Sequence, residues 1–592
     1  MSKPSRFDED SLINDDLLLN KNLQSKKKPR FKLRLGIKFF LCCVVAVSMA
    51  VFGGLEIRQF VPYHTVLSRL GIGNWRVWEF HDYFGLDPNE IGVVWDDRRI
   101  ADLVVPPEQM DQEIFFPATF IREHIDPFMF WDQGAGRLFV STDYEVTALD
   151  PRDMYPAIMH EDEPWVSFEW LRARYPSFAM EYHKAYNMIV FVDSQDSVGR
   201  AAEAIRSTPV RYRPNRSAYI TQRASSGALL TTFGEVGDYI RVRTSEGLLG
   251  YVLTSHIRFT EAPIESTPVL PTSPSPNINL TWEMVTIQAA NNHLMTMPFP
   301  EGLHVVSPTW FNFNPDTLDG DIIPLASREY VEWAHAQGVA VWPKIFDTNR
   351  DISHAILTNY QARERAITQL INFVEFYDLD GINVNFEHIR FTDGGYYVQF
   401  LRELAPEMRR IGAVLSVATF VPAPWFSQYH HDLVGKTVDF VAIMTYDEHY
   451  SGSEEPGPVA SLPFVERSVQ NALALIPREK ILMGLPFYNR LWRVDSDGIH
   501  SISNHGMAHP WTLVEEWGVI PVWDPVIGSY YANFATVENG EEITYRIWLE
   551  CERSIEAKLR IFAEHDLAGV ASWRRGLETQ GVWDLIDAVI LR

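Results

Sequence analysis

Residues 380–387 read Asp380-Gly381-Ile382-Asn383-Val384-Asn385-Phe386-Glu387, and this stretch decides how the C-terminal half of the 592-residue chain is understood. Side chains alternate between the two faces of a strand. Ile382, Val384 and Phe386 therefore make an apolar face, and Asn383, Asn385 and Glu387 project from the other. Two amides and a carboxyl in a row inside a protein are costly unless they bond one another or perform chemistry. Just upstream, Ile367, Leu370, Ile371 and Val374 fall at i, i+3, i+4 and i+7, the apolar stripe of a helix lying on a sheet. The same alternation recurs from Ile278 to the C-terminus. Eight strand candidates stand out as INLTWEMV, LHVVSPTWF, VAVWPKIF, GINVNFEHI, LSVATFV, FVAIMTY, KILMGLPFY and GVASWR, with amphipathic stretches between them. Apolar strands alternating with helices predict an α/β class and a (β/α)8 TIM barrel over 278–592. Such barrels carry their chemistry at the C-terminal ends of the strands, which singles out Glu387.

Four separated motifs then agree with one family. The family 18 glycosidases carry DxxDxDxE on the fourth strand, and Asp380, Asn383, Asn385 and Glu387 stand at its four lettered places. Met444, Tyr446 and Asp447 match the family's MxYD on the sixth strand, MGLPFYNRLW from Met483 resembles the seventh, and GVASWRRGLE from Gly569 puts Trp573 at the family's floor tryptophan. Residues 278–592 thus resemble family 18, in particular its spore-cortex-lytic branch of the YaaH/YdhD type. The resemblance implies hydrolysis of a β-linked N-acetylglucosamine bond with retention, the substrate's acetamido oxygen serving as nucleophile, an exception to the two-carboxylate scheme. Glu387 would be the general acid and then the base. Tyr446 would bond the acetamido group, Asp447 would touch the distorted sugar and Trp573 would stack beneath it, with Asp380, Asn383 and Met444 also binding substrate. Asn383 replaces an acid of the pattern, as is expected in the spore-lytic branch, and Asn385 is the more serious departure, because the family's Asp at that place balances the charge of the oxazolinium intermediate. Losing such a preorganised group is worth roughly two to three powers of ten in rate. The alternatives are a catalytically weak or inactive glycan-binding protein on the same barrel, and a scaffold unrelated to sugar.

The rest of the chain frames this barrel. The formal net charge is -25, although residues 1–38 hold ten Lys or Arg against five Asp or Glu. So acidic a body argues against nucleic acid as a partner. Three cysteines, two of them adjacent, build neither a disulfide framework nor a metal site, and no cofactor is expected. After the basic tail, assigned to the cytoplasm, residues 39–55 (FFLCCVVAVSMAVFGGL) carry no charge and approach the minimum for a membrane span, with the remainder facing outward. A cleaved signal ending near Ser48-Met49-Ala50 is the rival reading. Residues 57–200 contain a repeat, with EIFFPATF from Glu113 and EPWVSFEW from Glu163 opening two similar halves and Trp131 and Tyr182 at equivalent places. They resemble the small α+β domain named after the N-terminal domain of copper amine oxidases, which implies a stalk. Residues 205–262 resemble a bacterial SH3-like barrel through YIRVRTSEGLLGYVLTSHI, and 263–277, with five prolines, predicts an extended linker. The combined expectation is a single-pass membrane protein whose outer domain acts on peptidoglycan or another N-acetylglucosamine polymer.

Overall fold

A computed structural model describes residues 90–590, apart from 97, 101–105, 154, 185–186, 194–198, 217, 219, 261–276 and 348. The basic tail, the proposed span and nearly all of the proline-rich linker lie outside the described residues.

The eight expected strands all form, and they are labelled here β1 (Ile278–Glu283), β2 (Val305–Pro308), β3 (Ala340–Val341 continued by Lys344–Phe346), β4 (Gly381–Asn385), β5 (Val414–Phe420), β6 (Phe440–Met444), β7 (Ile481–Pro486) and β8 (Gly569–Trp573). Every neighbouring pair is parallel, and the ring closes where β8 pairs with β1. Closure at that seam needs a glycine. Gly569 has φ +149°, and a Cβ on it would lie 1.9 Å from the carbonyl oxygen of Ile278. In β3 the ladder is interrupted at Trp342-Pro343 because proline has no N–H to give. The first piece of β3 therefore pairs with β2 and the second with β4.

Alternation along β4 sorts the side chains as the sequence requires. Ile382, Val384 and Phe386 join Ile367, Leu370, Ile371 and Val374 of helix Tyr360–Tyr377 in the large apolar layer between strands and helices. That helix begins where the Asn359 side chain accepts from the N–H groups of Gln361 and Ala362, and it ends at Asp378 in the left-handed region. A second, smaller core of Leu280, Trp282, Trp342, Ala418, Leu482 and Ala571 fills the barrel interior. Between β7 and helix Glu552–Ala563 the chain inserts a five-stranded antiparallel sheet running from Tyr488 to Leu549.

The N-terminal modules are not strung out from the barrel. The two repeat halves open with strands Glu113–Pro117 and Glu163–Ser167, which pair antiparallel, and each is followed by a seven-residue helix. One core unites them. The next module is a seven-stranded sheet that begins at Arg200, five residues before the expected boundary, because Arg200–Ala204 pairs with Leu229–Thr232 and with Ile257–Phe259. Its Leu249 packs on Val94, Met188 and Val190 of the repeat module. The repeat module in turn lies on the barrel flank. Asp132 and Arg363, both fully buried, pair at 2.7 Å, and Arg402 Nε donates to Ser141 at 2.8 Å. Phe130 and Phe139 pack on Tyr396 and Tyr360 beside them.

Candidate active site

At the C-terminal mouth of the barrel lies a cavity of about 910 Å³. Its floor and walls come from Trp282 on β1, Lys344 on β3, Asn385 and Glu387 at β4, Met444, Tyr446 and Asp447 at β6, and Trp573 on β8, while Phe420 at the end of β5 and Trp425 and Phe426 beyond it supply an aromatic wall. Trp425 and Tyr450 stand exposed at its rim.

Glu387 is held by its backbone. Its N–H and that of His388 both donate to Asp347 at 2.8 Å, and Ser353 bonds the same carboxylate. Asp347 is buried at the end of β3, so two strand ends are locked together and the Glu387 side chain is turned into the cavity. Among the described residues the Glu387 carboxylate accepts no hydrogen bond, which leaves it available to a ligand. Asn385, one step deeper on the same face, is 1% exposed and donates through Nδ2 to the Ala418 carbonyl. Its Oδ1 has no partner among the described residues. A buried amide oxygen in that condition is an acceptor waiting for an N–H from outside the protein.

Tyr446, just after β6, lines the same cavity. Burial, reinforced by the charges of Glu387 and Asp447, pushes its phenol well above the ordinary value, so it stays a donor at neutral pH. Asp447, at φ +57°, is gripped by Arg490 and by the Tyr488 hydroxyl at 2.6 Å, both from the first strand of the inserted sheet. Trp573 forms the floor, with Trp282 6.0 Å away centre to centre.

Two expected substrate contacts are placed elsewhere. Asp380 precedes β4 at the opposite end of the barrel, where its carboxylate accepts from the Val341 N–H at 2.7 Å and meets His335 at 2.8 Å. It staples β4 to β3 and cannot reach the cavity. Asn383 is fully buried beneath the floor, accepting from Trp282 Nε1 at 3.1 Å and donating to Ser416 Oγ at 2.9 Å. Its role is to hold Trp282. Two cavity-related residues were not singled out from sequence. Asp347 occupies a strand's C-terminal end, the position already used to find Glu387. Lys344 is the inward-facing ionisable residue of an otherwise apolar β3.

The chain's residues 335–578 match the model of the Glycosyl hydrolases family 18. The barrel carries a family 18 glycosidase domain. The B. subtilis (strain 168) protein YdhD, described as a sporulation-specific glycosylase, is 28% identical over 243 residues, 39% of this chain and 56% of that one. YvbX of the same organism, an uncharacterized glycosylase, is 25% identical over 285 residues, 45% of this chain and 80% of that one. Its cortical fragment-lytic enzyme is 25% identical over 244 residues, 40% of this chain and 56% of that one. This chain therefore spans little more than half the length of the first and third relatives. In the family 18 domain, Glu387, Asn385, Met444, Tyr446, Asp447 and Trp573 of the matched motifs share one cavity, and Asp380 and Asn383 support it from outside.

Proposed function

We propose that this barrel hydrolyses β-1,4-linked N-acetylglucosamine glycans, peptidoglycan foremost, with the substrate's acetamide as nucleophile. The observation that carries the reading is the unpartnered Oδ1 of Asn385 beside Glu387 and Tyr446 in one cavity. An N-acetyl group offers one N–H and one carbonyl oxygen. Asn385 Oδ1 accepts the N–H, and the Tyr446 hydroxyl donates to the carbonyl oxygen, aiming it at the anomeric carbon. Glu387 gives its proton to the glycosidic oxygen as that bond breaks, and the acetamido oxygen closes on the anomeric carbon. The carboxylate left on Glu387 then removes a proton from water, whose oxygen opens the cyclic intermediate with overall retention. Trp573 stacks beneath the sugar. The cortical fragment-lytic relatives favour a bacterial wall polymer over chitin.

A binding protein with little turnover is the second reading, favoured by two groups in the cavity. Asn385 adds no negative charge and Lys344 adds a positive one, both unfavourable to a cationic intermediate. Further parts of the proposal are a membrane anchor at 39–55 with the barrel outside, a stalk at the repeat module and an SH3-like module after it. Incubating the purified chain with peptidoglycan and with chitin oligomers, followed by mass analysis, decides the main point. New reducing ends that disappear in Glu387→Gln support hydrolysis, and intact polymer that the protein nevertheless binds supports the second reading.

A further inference from the structure

In the seven-stranded module, strands Thr208–Arg211, Leu249–Leu253 and Tyr239–Thr244 lie side by side. Val210, Val252 and Ile240, one from each, belong to the module's apolar core. Alternation therefore puts Arg211, Leu253 and Tyr239 on the opposite face, with Tyr239 directly across from Leu253 and Arg211 across from Tyr251. That is the face expected to meet water, yet Tyr239 is only 7% exposed. It lines a cavity of about 180 Å³ together with Pro209, Arg211, Arg216 and Leu253. Thr208 and His256, hydrogen-bonded at 2.8 Å, complete the wall.

Among the described residues the buried Tyr239 hydroxyl has no hydrogen-bond partner. A hydroxyl in that condition costs free energy unless something from outside the protein completes it. The cavity's charge is uncompensated as well. Arg211 donates through Nη1 to the Ala218 carbonyl at 2.9 Å, which ties the following loop back to the strand without neutralising the guanidinium. Neither Arg211 nor the exposed Arg216 forms an ion pair with a described residue. No carboxylate is among the lining residues, in a chain whose 77 acids outnumber its 52 Lys and Arg. Burial and the charge of Arg206 hold the His256 imidazole below its ordinary pKa, so at neutral pH it adds hydrogen-bonding capacity and no charge. Two guanidinium groups and an unpartnered hydroxyl around one small space make a receptor for an oxyanion.

We propose that this cavity is a second ligand site, separate from the barrel mouth, and that it takes a carboxylate carried on a small apolar group. The Tyr239 hydroxyl and the Arg211 guanidinium donate to the carboxylate, and Arg216 adds charge from the exposed side. Pro209 and Leu253 supply the apolar wall, which a bare phosphate would leave unused. At about 180 Å³ the space is well below the roughly 300–1,000 Å³ of cavities that enclose drug-sized ligands, and it suits a single amino-acid unit. An alanine at the free C-terminus of a peptide has this chemistry, and so does a short free acid. The site does not depend on the glycan reading of the barrel, since no residue of the Glu387 cavity takes part.

The test is a ligand-observed NMR titration of the full chain with N-acetylalanine, N-acetylalaninamide, propionate and inorganic phosphate. The wild type should bind N-acetylalanine at least about tenfold more tightly than its uncharged amide, the span of a charge-assisted hydrogen bond. Tyr239→Phe should weaken the acid about tenfold while leaving thermal stability unchanged or raised, because the hydroxyl it removes has no partner in the free protein. Arg216→Gln, at an exposed position, should weaken it roughly two- to fivefold. The barrel mouth also holds Lys344 and Arg467, so dependence on Tyr239 is what assigns the binding to this module. N-acetylalanine bound more tightly than propionate supports a peptide end as the source, and the reverse order supports a free acid. Equal binding of acid and amide by the wild type, or an acid affinity untouched by both substitutions, overturns the site. Phosphate bound more tightly than N-acetylalanine, with the same dependence on Tyr239, overturns the carboxylate assignment. A Tyr239→Phe chain that melts at a lower temperature overturns the premise of an unpartnered hydroxyl.

Discussion

Glu387 enters the cavity with no hydrogen bond on its carboxylate, so its replacement by Gln should remove the proton donor without unsettling its surroundings. Turnover should fall on the order of a hundredfold or more with affinity retained, measured by product release and by binding. Asp347 supports Glu387 through two backbone N–H groups. Asp347→Asn leaves one acceptor oxygen where two served, so kcat should drop about tenfold with KM nearly unchanged, the cost of a 1 Å-scale misplacement being greater still. From sequence alone, Asn385→Asp is expected to raise kcat ten- to a thousandfold by restoring the charge that steadies the intermediate. The position of Lys344 alters that expectation, since a new carboxylate would pair with the ammonium of the adjacent strand. The single variant should gain little and the Asn385→Asp, Lys344→Met pair much more, by comparison of kcat on glycan fragments; no gain in either sinks the slow-enzyme reading. Glu387, Asn385, Tyr446, Asp447 and Trp573 were legible as motif places. Lys344 and Asp347 were not, because β3 matches no quoted motif and a single charged residue in a strand ordinarily belongs to a solvated edge.

The barrel strands were legible as elements because each is buried on both faces and reads as an apolar run between amphipathic helices. β4 was readable to the residue, since its alternation alone separates the helix-facing side from the interior. The inserted sheet from Tyr488 to Leu549 was less so. Its two long strands Ser529–Glu538 and Glu541–Leu549 are half exposed, and their buried residues pack with Leu491 and Val514 in a small core of the insertion's own. The function of its first strand appears only in three dimensions, where Tyr488 and Arg490 fix Asp447 in a left-handed backbone conformation. Tyr488→Phe removes one of those two restraints and should lower kcat/KM about fivefold, equivalent to roughly 1 kcal/mol for one hydrogen bond. Unaltered kinetics in that variant would mean that Arg490 alone suffices to hold Asp447.

Across the molecule, composition and the proline-rich stretch suggested a division into modules, but nothing in the sequence revealed that they touch. The decisive contact joins Asp132 to Arg363, 231 positions apart, and no local pattern encodes such a pairing. Asp132→Ala leaves a fully buried guanidinium with Glu403 as its remaining carboxylate partner, and should destabilise the chain by about 3–5 kcal/mol in urea titrations. The topology proposal is checked by adding protease to intact cells, where cleavage should fall in 263–277 and residues 1–38 should be spared. Because the repeat module is seated directly on the barrel's helices, however, the peptide chain is not the only thing joining them. A molecule severed in that stretch should give two bands on a denaturing gel yet elute as one particle in native buffer. Scission there would not amount to shedding, and under the proposed topology the nicked molecule would keep its place and its catalytic mouth.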